Sequence, residues 1–274
     1  MKILKLLTVL LLLTACGKER EARQRLEEAK AMYENKSFAA AKSLIDTINV
    51  RYPREIAVRK EALTLMRLAE RGECERNIAY CDSLLPVCIE ETESLKKEFV
   101  FEKDTAYDDI GRYIRKTMTV ERNVERSYIR CGVNEEGEMY VASVYFGSSP
   151  INHTGLKFST GDGMLAETPS IPHDGGMNYR FRDMGNTTEV VTYQGENCKT
   201  IVHFVSVVDG KERVRAEFTG GKPFSLYLSD SDRKDFNATR QLAMVLSEIN
   251  AMQREKLKSE KKIKLIDGKL NGQE

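Results

Sequence analysis

Tyr128-Ile129-Arg130-Cys131-Gly132-Val133-Asn134-Glu135-Glu136-Gly137-Glu138-Met139-Tyr140-Val141-Ala142-Ser143-Val144-Tyr145-Phe146 is the stretch on which the fold turns. Two runs rich in β-branched and aromatic residues, 128–133 and 138–146, flank Asn134-Glu135-Glu136-Gly137, a four-residue hairpin loop. Working outward, 156–160 and 164–168 flank the tight turn Gly161-Asp162-Gly163, and 179–182, 189–193 and 198–208 read as further strands. Val208-Asp209-Gly210-Lys211 contains the Asp-Gly pair that suits the positive backbone angles of a primed turn. A hairpin is therefore expected there, leading into a strand at 214–218 and a last one at 224–228. Short strands with repeated glycine turns and no alternating helices predict an antiparallel sandwich or strongly curved sheet over 125–230.

Helices are expected on either side of that β region, which makes the fold class α+β. Ala22, Leu26, Ala29 and Tyr33 recur at near-heptad spacing, and Asn35-Lys36-Ser37 interrupts them. Phe38, Ala41, Ile45 and Ile48 then form one stripe of a second helix, stopped by Tyr52-Pro53. A third helix is expected over 54–71, with Ala62, Leu65, Met66 and Ala69 inward and Gly72 ending it. A fourth starts near Glu73 and carries Ile78, Cys81, Leu85 and Cys88. Pro86 kinks or restarts it, because proline removes a helical hydrogen bond and clashes with the preceding turn. The seam resumes at Leu95 and Phe99, and the helical region is expected over 22–120. After Ser229-Asp230-Ser231-Asp232, a set of candidate N-caps, a C-terminal helix is expected over 231–264. Leu242, Val245, Leu246, Ile249 and Met252 form its apolar face, and lysines 256 to 264 crowd its end.

The two N-terminal helices resemble one tetratricopeptide unit. Phe38 and Ala41 match the aromatic-x-x-Ala step that lets the paired helices approach, Ile45 stands at a large apolar position, and Pro53 stands where that repeat ends. Lys36 replaces the usual glycine, and the Trp-Leu-Gly signature of the first helix is missing. The match covers about residues 20 to 53, and an ordinary helical hairpin explains the same pattern. Two such pairs are too few for a free-standing solenoid, so the helices are expected to lean on another part of the chain.

The N-terminus carries an address. Lys2 and Lys5 precede an apolar run, Leu6 to Leu13, broken only by Thr8. That is a secretory signal pattern, and the run is well short of the roughly 20 residues that a spanning helix needs. Leu13-Thr14-Ala15-Cys16 resembles the bacterial lipobox, in which the cysteine receives a diacylglycerol and becomes the first residue of the mature chain. The resemblance implies a signal peptide at 1–15, lipidation of Cys16 and a polar tether at 16–21. Gly17 stands where many Gram-negative sorting systems use aspartate to retain lipoproteins at the inner membrane, so the outer membrane is the expected destination. Lys18-Glu19 and Glu21 resemble the charged tag of surface-exported lipoproteins without deciding the leaflet. Over the whole chain, stretches such as Phe99-Val100-Phe101-Glu102-Lys103-Asp104 and Ile151-Asn152-His153-Thr154-Gly155 resemble lipoproteins of anaerobic Gram-negative gut bacteria that carry no known activity. The partial repeat is also similar to the helical-repeat lipoproteins that help assemble outer-membrane proteins.

The chain has 274 residues, 41% of them hydrophobic and 31% charged, enough to bury a core. Residues 1–15 hold two of its 43 basic side chains, which leaves 41 against 42 acidic ones and no electrostatic case for nucleic acid. Without Cys16, five cysteines remain, an odd number that excludes complete pairing within one chain. Cys74, Cys81 and Cys88 are seven apart, which on a helix places neighbours about 10 Å from each other, too far for a disulfide. They read as small apolar seam residues.

Catalytic signatures are sparse. Gly-x-Ser-x-Gly and His-Glu-x-x-His are absent, and Gly161-Asp162-Gly163 is too short for a phosphate cradle or calcium loop. His203 reads as a strand residue. His153 and His173 lie in loops from which they could approach Asp162 or Asp174, the one conceivable hydrolytic or metal site; turn chemistry explains Asp174-Gly175-Gly176 as well. Asp230 and Asp232 are explained by capping without an ion. No catalytic set and no cofactor are expected. The function expected is a lipid-anchored cell-envelope module that binds or scaffolds another envelope protein. The alternative is a hydrolase or metal-dependent enzyme using the loop histidines.

Overall fold

The computed structural model describes residues 2–103, 109–208, 210 and 212–272, with side chains from residue 17 onward. The side chain of Cys16, on which lipidation depends, and Asp209 and Lys211 of the expected primed turn lie outside the described residues, as does Asp104. The chain divides into two compact units, one of Met1–Leu84 with Met252–Glu274, the other of Leu85–Ala251.

The first unit is helical. It takes in α1 (Lys2–Glu34), α2 (Phe38–Arg51), α3 (Ile56–Lys96) as far as Leu84, and α5 (Asp230–Asn271) from Met252. The stripe read from the sequence is buried: Phe38, Ala41, Ile45 and Ile48 of α2 are all inside. Ala22, Leu26 and Ala29 of α1 and Val58, Ala62 and Leu65 of α3 complete one core with Ile45 and Ile48. Gly72 does not end a helix. It sits within α3, where a Cβ would come within 2.6 Å of the Phe38 ring, so glycine here makes room for an aromatic side chain. Nor does a new helix begin at Glu73, and Pro86 lies inside α3. Proline there forfeits a single ladder bond, which a helix of 41 residues tolerates. Arg71 pairs with Asp267 at 2.9 Å and Lys262 with Glu70 at 3.3 Å, half-exposed contacts that fix partners more than they stabilise.

Among the described residues, the second unit carries ten strands in two antiparallel sheets. The helical region expected to residue 120 stops at Lys96, because β1 (Phe99–Glu102) and β2 (Arg112–Arg115) follow, paired with each other and through β2 to β3 (Tyr128–Asn134). A six-stranded sheet runs β1-β2-β3-β4-β8-β7, with β4 (Met139–Gly147), β7 (Asn178–Asp183) and β8 (Asn186–Gln194). A four-stranded sheet runs β10-β9-β5-β6, with β5 (Gly155–Ser159), β6 (Leu165–Glu167), β9 (Arg215–Thr219) and β10 (Phe224–Tyr227). The strand expected at 198–208 is instead α4 (Glu196–Val207). Its β-branched residues suggested a strand, but Cys198, Ile201, Phe204 and Val205 are buried at helical spacing, and His203 is an exposed helix residue. The C-terminal helix extends past 264, as α5 ends at Asn271.

One core joins the sheets. Val141, Tyr145, Val191 and Tyr193 of the larger sheet meet Leu156, Phe158, Ala216 and Phe218 of the smaller, with α4 contributing Ile201 and Phe204. Alternation along β4 and β8 sets one set of side chains into this core and the other on the opposite, outer face. The first turns of α5 pack Leu242, Ala243 and Leu246 against Phe99 and Val133. Leu242→Ala is expected to destabilise this unit by about 2–5 kcal/mol, since Leu242 is completely buried. Thermal denaturation that leaves the midpoint unmoved would show that this face of the helix does no packing.

Candidate functional site

Two places in the β-rich unit concentrate chemistry. The first is a groove on the outer face of the six-stranded sheet, centred on a hollow of about 490 Å³. Register places its lining. Tyr140 stands opposite Gln194 and Gly132, Ala142 opposite Arg130 and Thr192, and Val144 opposite Tyr128 and Val190. Tyr179 and Phe181 of β7 extend the floor beside Val190 and Thr188. A smaller hollow of about 190 Å³ shares Tyr128, Val144, Phe181 and Thr188 and continues to Val124, Phe146 and Met184, with Glu125, Arg126 and Asp183 also in its lining. The groove is therefore continuous along the sheet.

One end of this groove is rich in donors. The ring of Tyr140 lies across Gly132, where a Cβ would come within 2.5 Å of it. Glycine at that position lets the ring lie flat beneath the Arg112 and Arg130 guanidinium groups, 5.7 and 6.0 Å from its centre. Arg130 Nη2 donates to Glu102 at 3.1 Å, but its Nε has no acceptor. The Tyr140 hydroxyl is likewise buried with no hydrogen bond of good geometry, its charged neighbour being the Arg130 guanidinium, and burial pushes its pKa up against the opposing pull of Arg130, which keeps it protonated. Three buried side-chain polar atoms lack partners among the described residues, and two of them belong to side chains that line this one hollow. Such groups are uncommon in folded proteins because each costs about 1–3 kcal/mol of desolvation.

The second place is a relay on the inner face. Ser143 Oγ lies 2.9 Å from His153 Nε2, and His153 Nδ1 lies 2.9 Å from Glu189 Oε2. Glu189 also accepts the backbone N–H groups of Asn152 and His153, at 2.9 and 3.2 Å. Burial drives the His153 pKa down, which outweighs the pull of Glu189. Burial alone would raise the Glu189 carboxyl, but the Asn152 N–H, the His153 ring and the His153 N–H hold it below its ordinary range. The consistent assignment is neutral His153, protonated on Nδ1 and donating to ionised Glu189, with the Ser143 hydroxyl donating to Nε2.

His153 and His173 do line one recess, of about 120 Å³, together with Asn178, Arg180 and Glu189. Their acidic companion is Glu189, not Asp162 or Asp174. Asp162 is occupied with Thr160 and the Met164 N–H, and Asp174 caps its own turn through the Gly176 and Asn178 N–H groups. Asp232 accepts from the Ser229 N–H and hydroxyl at the start of α5, a capping role. Among the described residues no group of three or more His, Cys, Asp or Glu side chains is placed to hold a metal ion. Cys74, Cys81, Cys88, Cys131 and Cys198 are free thiols, and burial pushes Cys131 up to about 12 and Cys198 up to about 11, far from reactive thiolates.

Neither the groove nor the relay was anticipated. Arg112, Arg130 and Tyr140 belong to three different strands, and Glu189 lies 36 residues from His153. The single local signal was Gly132, a glycine inside an otherwise bulky strand, which marks a place where another group approaches closely. No known protein family, characterised protein or solved structure matches the chain.

Proposed function

We propose that the chain is a lipid-anchored protein of the cell envelope, tethered to the outer membrane through Cys16, that works by binding, and that it binds in the groove of the six-stranded sheet. The observation that supports this reading is the pair of buried, unpartnered donors, Arg130 Nε and Tyr140 Oη, in a hollow whose size falls within the range usual for ligand sites. A fold that leaves two buried donors without acceptors side by side is relieved of their cost when a ligand supplies those acceptors. Native mass spectrometry of the full chain recovered from envelopes tests this. A bound mass carried by the parent protein is expected to be lost in Val190→Arg, which blocks the groove floor from the outer face without touching the core. Equal occupancy in both proteins would contradict it.

A hydrolase is the second reading, favoured by the Ser143, His153, Glu189 order of the relay, which is that of an acyl-transfer triad. Against it, Ser143 is completely buried in the middle of β4 and does not line the recess that His153 and Glu189 share. A substrate carbonyl has no route to its Oγ. Hydrolysis of p-nitrophenyl acetate that disappears in Ser143→Ala would carry this reading.

A further inference from the structure

The strand register orders the groove from one end to the other. Its first row holds Gly132, Tyr140 and Gln194, flanked by Arg112 one step up the edge of the sheet. Arg130, Ala142 and Thr192 follow, then Tyr128, Val144, Val190 and Tyr179, then Phe146, Thr188 and Phe181. Phe146 is six steps along β4 from Tyr140, about 20 Å at a rise of roughly 3.3 Å per residue. Arg112, Arg130 and Tyr140 stand at one end, the middle rows are apolar, and at the far end the exposed Phe181 and Met184 lie among Glu125, Arg126 and Asp183.

Resting on the groove as the ligand site, we propose that its occupant is an anionic amphiphile. A single carboxylate or phosphate monoester sits against Arg112, Arg130 and Tyr140, and a hydrocarbon chain runs over Val144, Val190 and Tyr179 toward Phe146 and Phe181. Charge complementarity carries the choice. Guanidinium groups match the acceptor geometry of carboxylate and phosphate, and charge-assisted bonds of this kind are among the stronger ones in proteins. Glu102 takes only Nη2 of Arg130, and Arg112 has no acidic partner among the described residues. Asp174, the acidic residue on the wall, already accepts two backbone N–H groups and does not compete for the arginines. An uncharged hydrocarbon would leave Arg130 Nε and the Tyr140 hydroxyl unsatisfied. A small inorganic anion would leave the apolar rows bare.

Isothermal titration of the full chain with decanoate, decyl phosphate, decanol and inorganic phosphate separates these possibilities. One decanoate or decyl phosphate is expected to bind per chain, about tenfold to a hundredfold more tightly than decanol. Arg130→Met and, separately, Arg112→Met should bring the two anions down toward decanol while leaving decanol unchanged. Two variants at different strands guard against one of them failing to fold. Equal affinity for decanol and decanoate, both abolished by Val190→Arg, would overturn the anionic head while the groove itself stood. Inorganic phosphate binding as tightly as decyl phosphate would overturn the chain. Binding of every probe unaffected by Val190→Arg would overturn the groove as the ligand site.

Discussion

Glu189→Ala is expected to lower the stability of the β-rich unit by about 3–5 kcal/mol. The carboxylate is buried and accepts three donors, the Asn152 N–H, the His153 N–H and the His153 ring. Alanine leaves all three without their acceptor, and the Ser143 hydroxyl then depends on an unanchored ring. His153→Ala should cost a similar amount, because it strands the carboxylate instead. The double variant should cost much less than the two losses added, since each change removes the other's partner. Urea denaturation of the four proteins measures this, and strict additivity would show that the pair is not coupled.

The same pair makes the fold acid-sensitive. His153 is held neutral in the fold, with its pKa below the value of about 6.5 it has when unfolded. Below that pH the unfolded chain takes up a proton that the folded one refuses, so stability falls as pH drops. Glu189 is held below its ordinary value, and its contribution, present above about 4.3, is lost as pH falls through the folded pKa. Both act in one direction. Stability should be level above neutrality through this pair, decline below about pH 6.5 and decline further in the carboxylate range. His153→Gln should flatten the upper part of that decline and leave the lower part.

Cys16→Ser is expected to abolish lipidation altogether. Thioether formation needs the thiol, and a hydroxyl does not replace it. With each buried methylene contributing about 0.8 kcal/mol, the two or three acyl chains proposed at Cys16 would hold the parent protein in the membrane with negligible release. Intact-mass measurement should show loss of the acyl mass in Cys16→Ser, with altered fractionation from membranes. An unchanged mass and unchanged membrane fractionation would show that the segment Leu13-Thr14-Ala15-Cys16 is not read as an attachment site.

Legibility in the sequence followed the range of the interactions concerned. The β3–β4 hairpin and the buried stripe Phe38, Ala41, Ile45, Ile48 were readable because each depends on a local period and a local turn. Residues 198–208 read as a strand because Ile201, Val202 and Val205 favour strands by side-chain shape, while burial of Cys198, Ile201, Phe204 and Val205 follows the helix period. The strands β1 and β2 were missed because each is four residues long and gains its partners from the sheet edge. Gly72 and Pro86, read as breaks, sit inside α3, where packing against Phe38 and helix length override local preference. The groove was the least legible part. It exists only once the registers of β3, β4, β7 and β8 are fixed, and nothing near Arg130 along the chain announces Tyr140 or Val190.

Methyl NMR of the full chain titrated with decanoate tests the groove most directly, because neighbouring valines report on opposite faces of one sheet. Ala142, Val144 and Val190 face the groove, while Val141 and Val191, each adjacent to one of them in sequence, lie in the core. Saturable shifts at Ala142, Val144 and Val190, with Val141 and Val191 little changed, are the predicted result. Shifts confined to methyls of the helical unit, such as Val50 and Leu63, with the groove methyls silent, would contradict it.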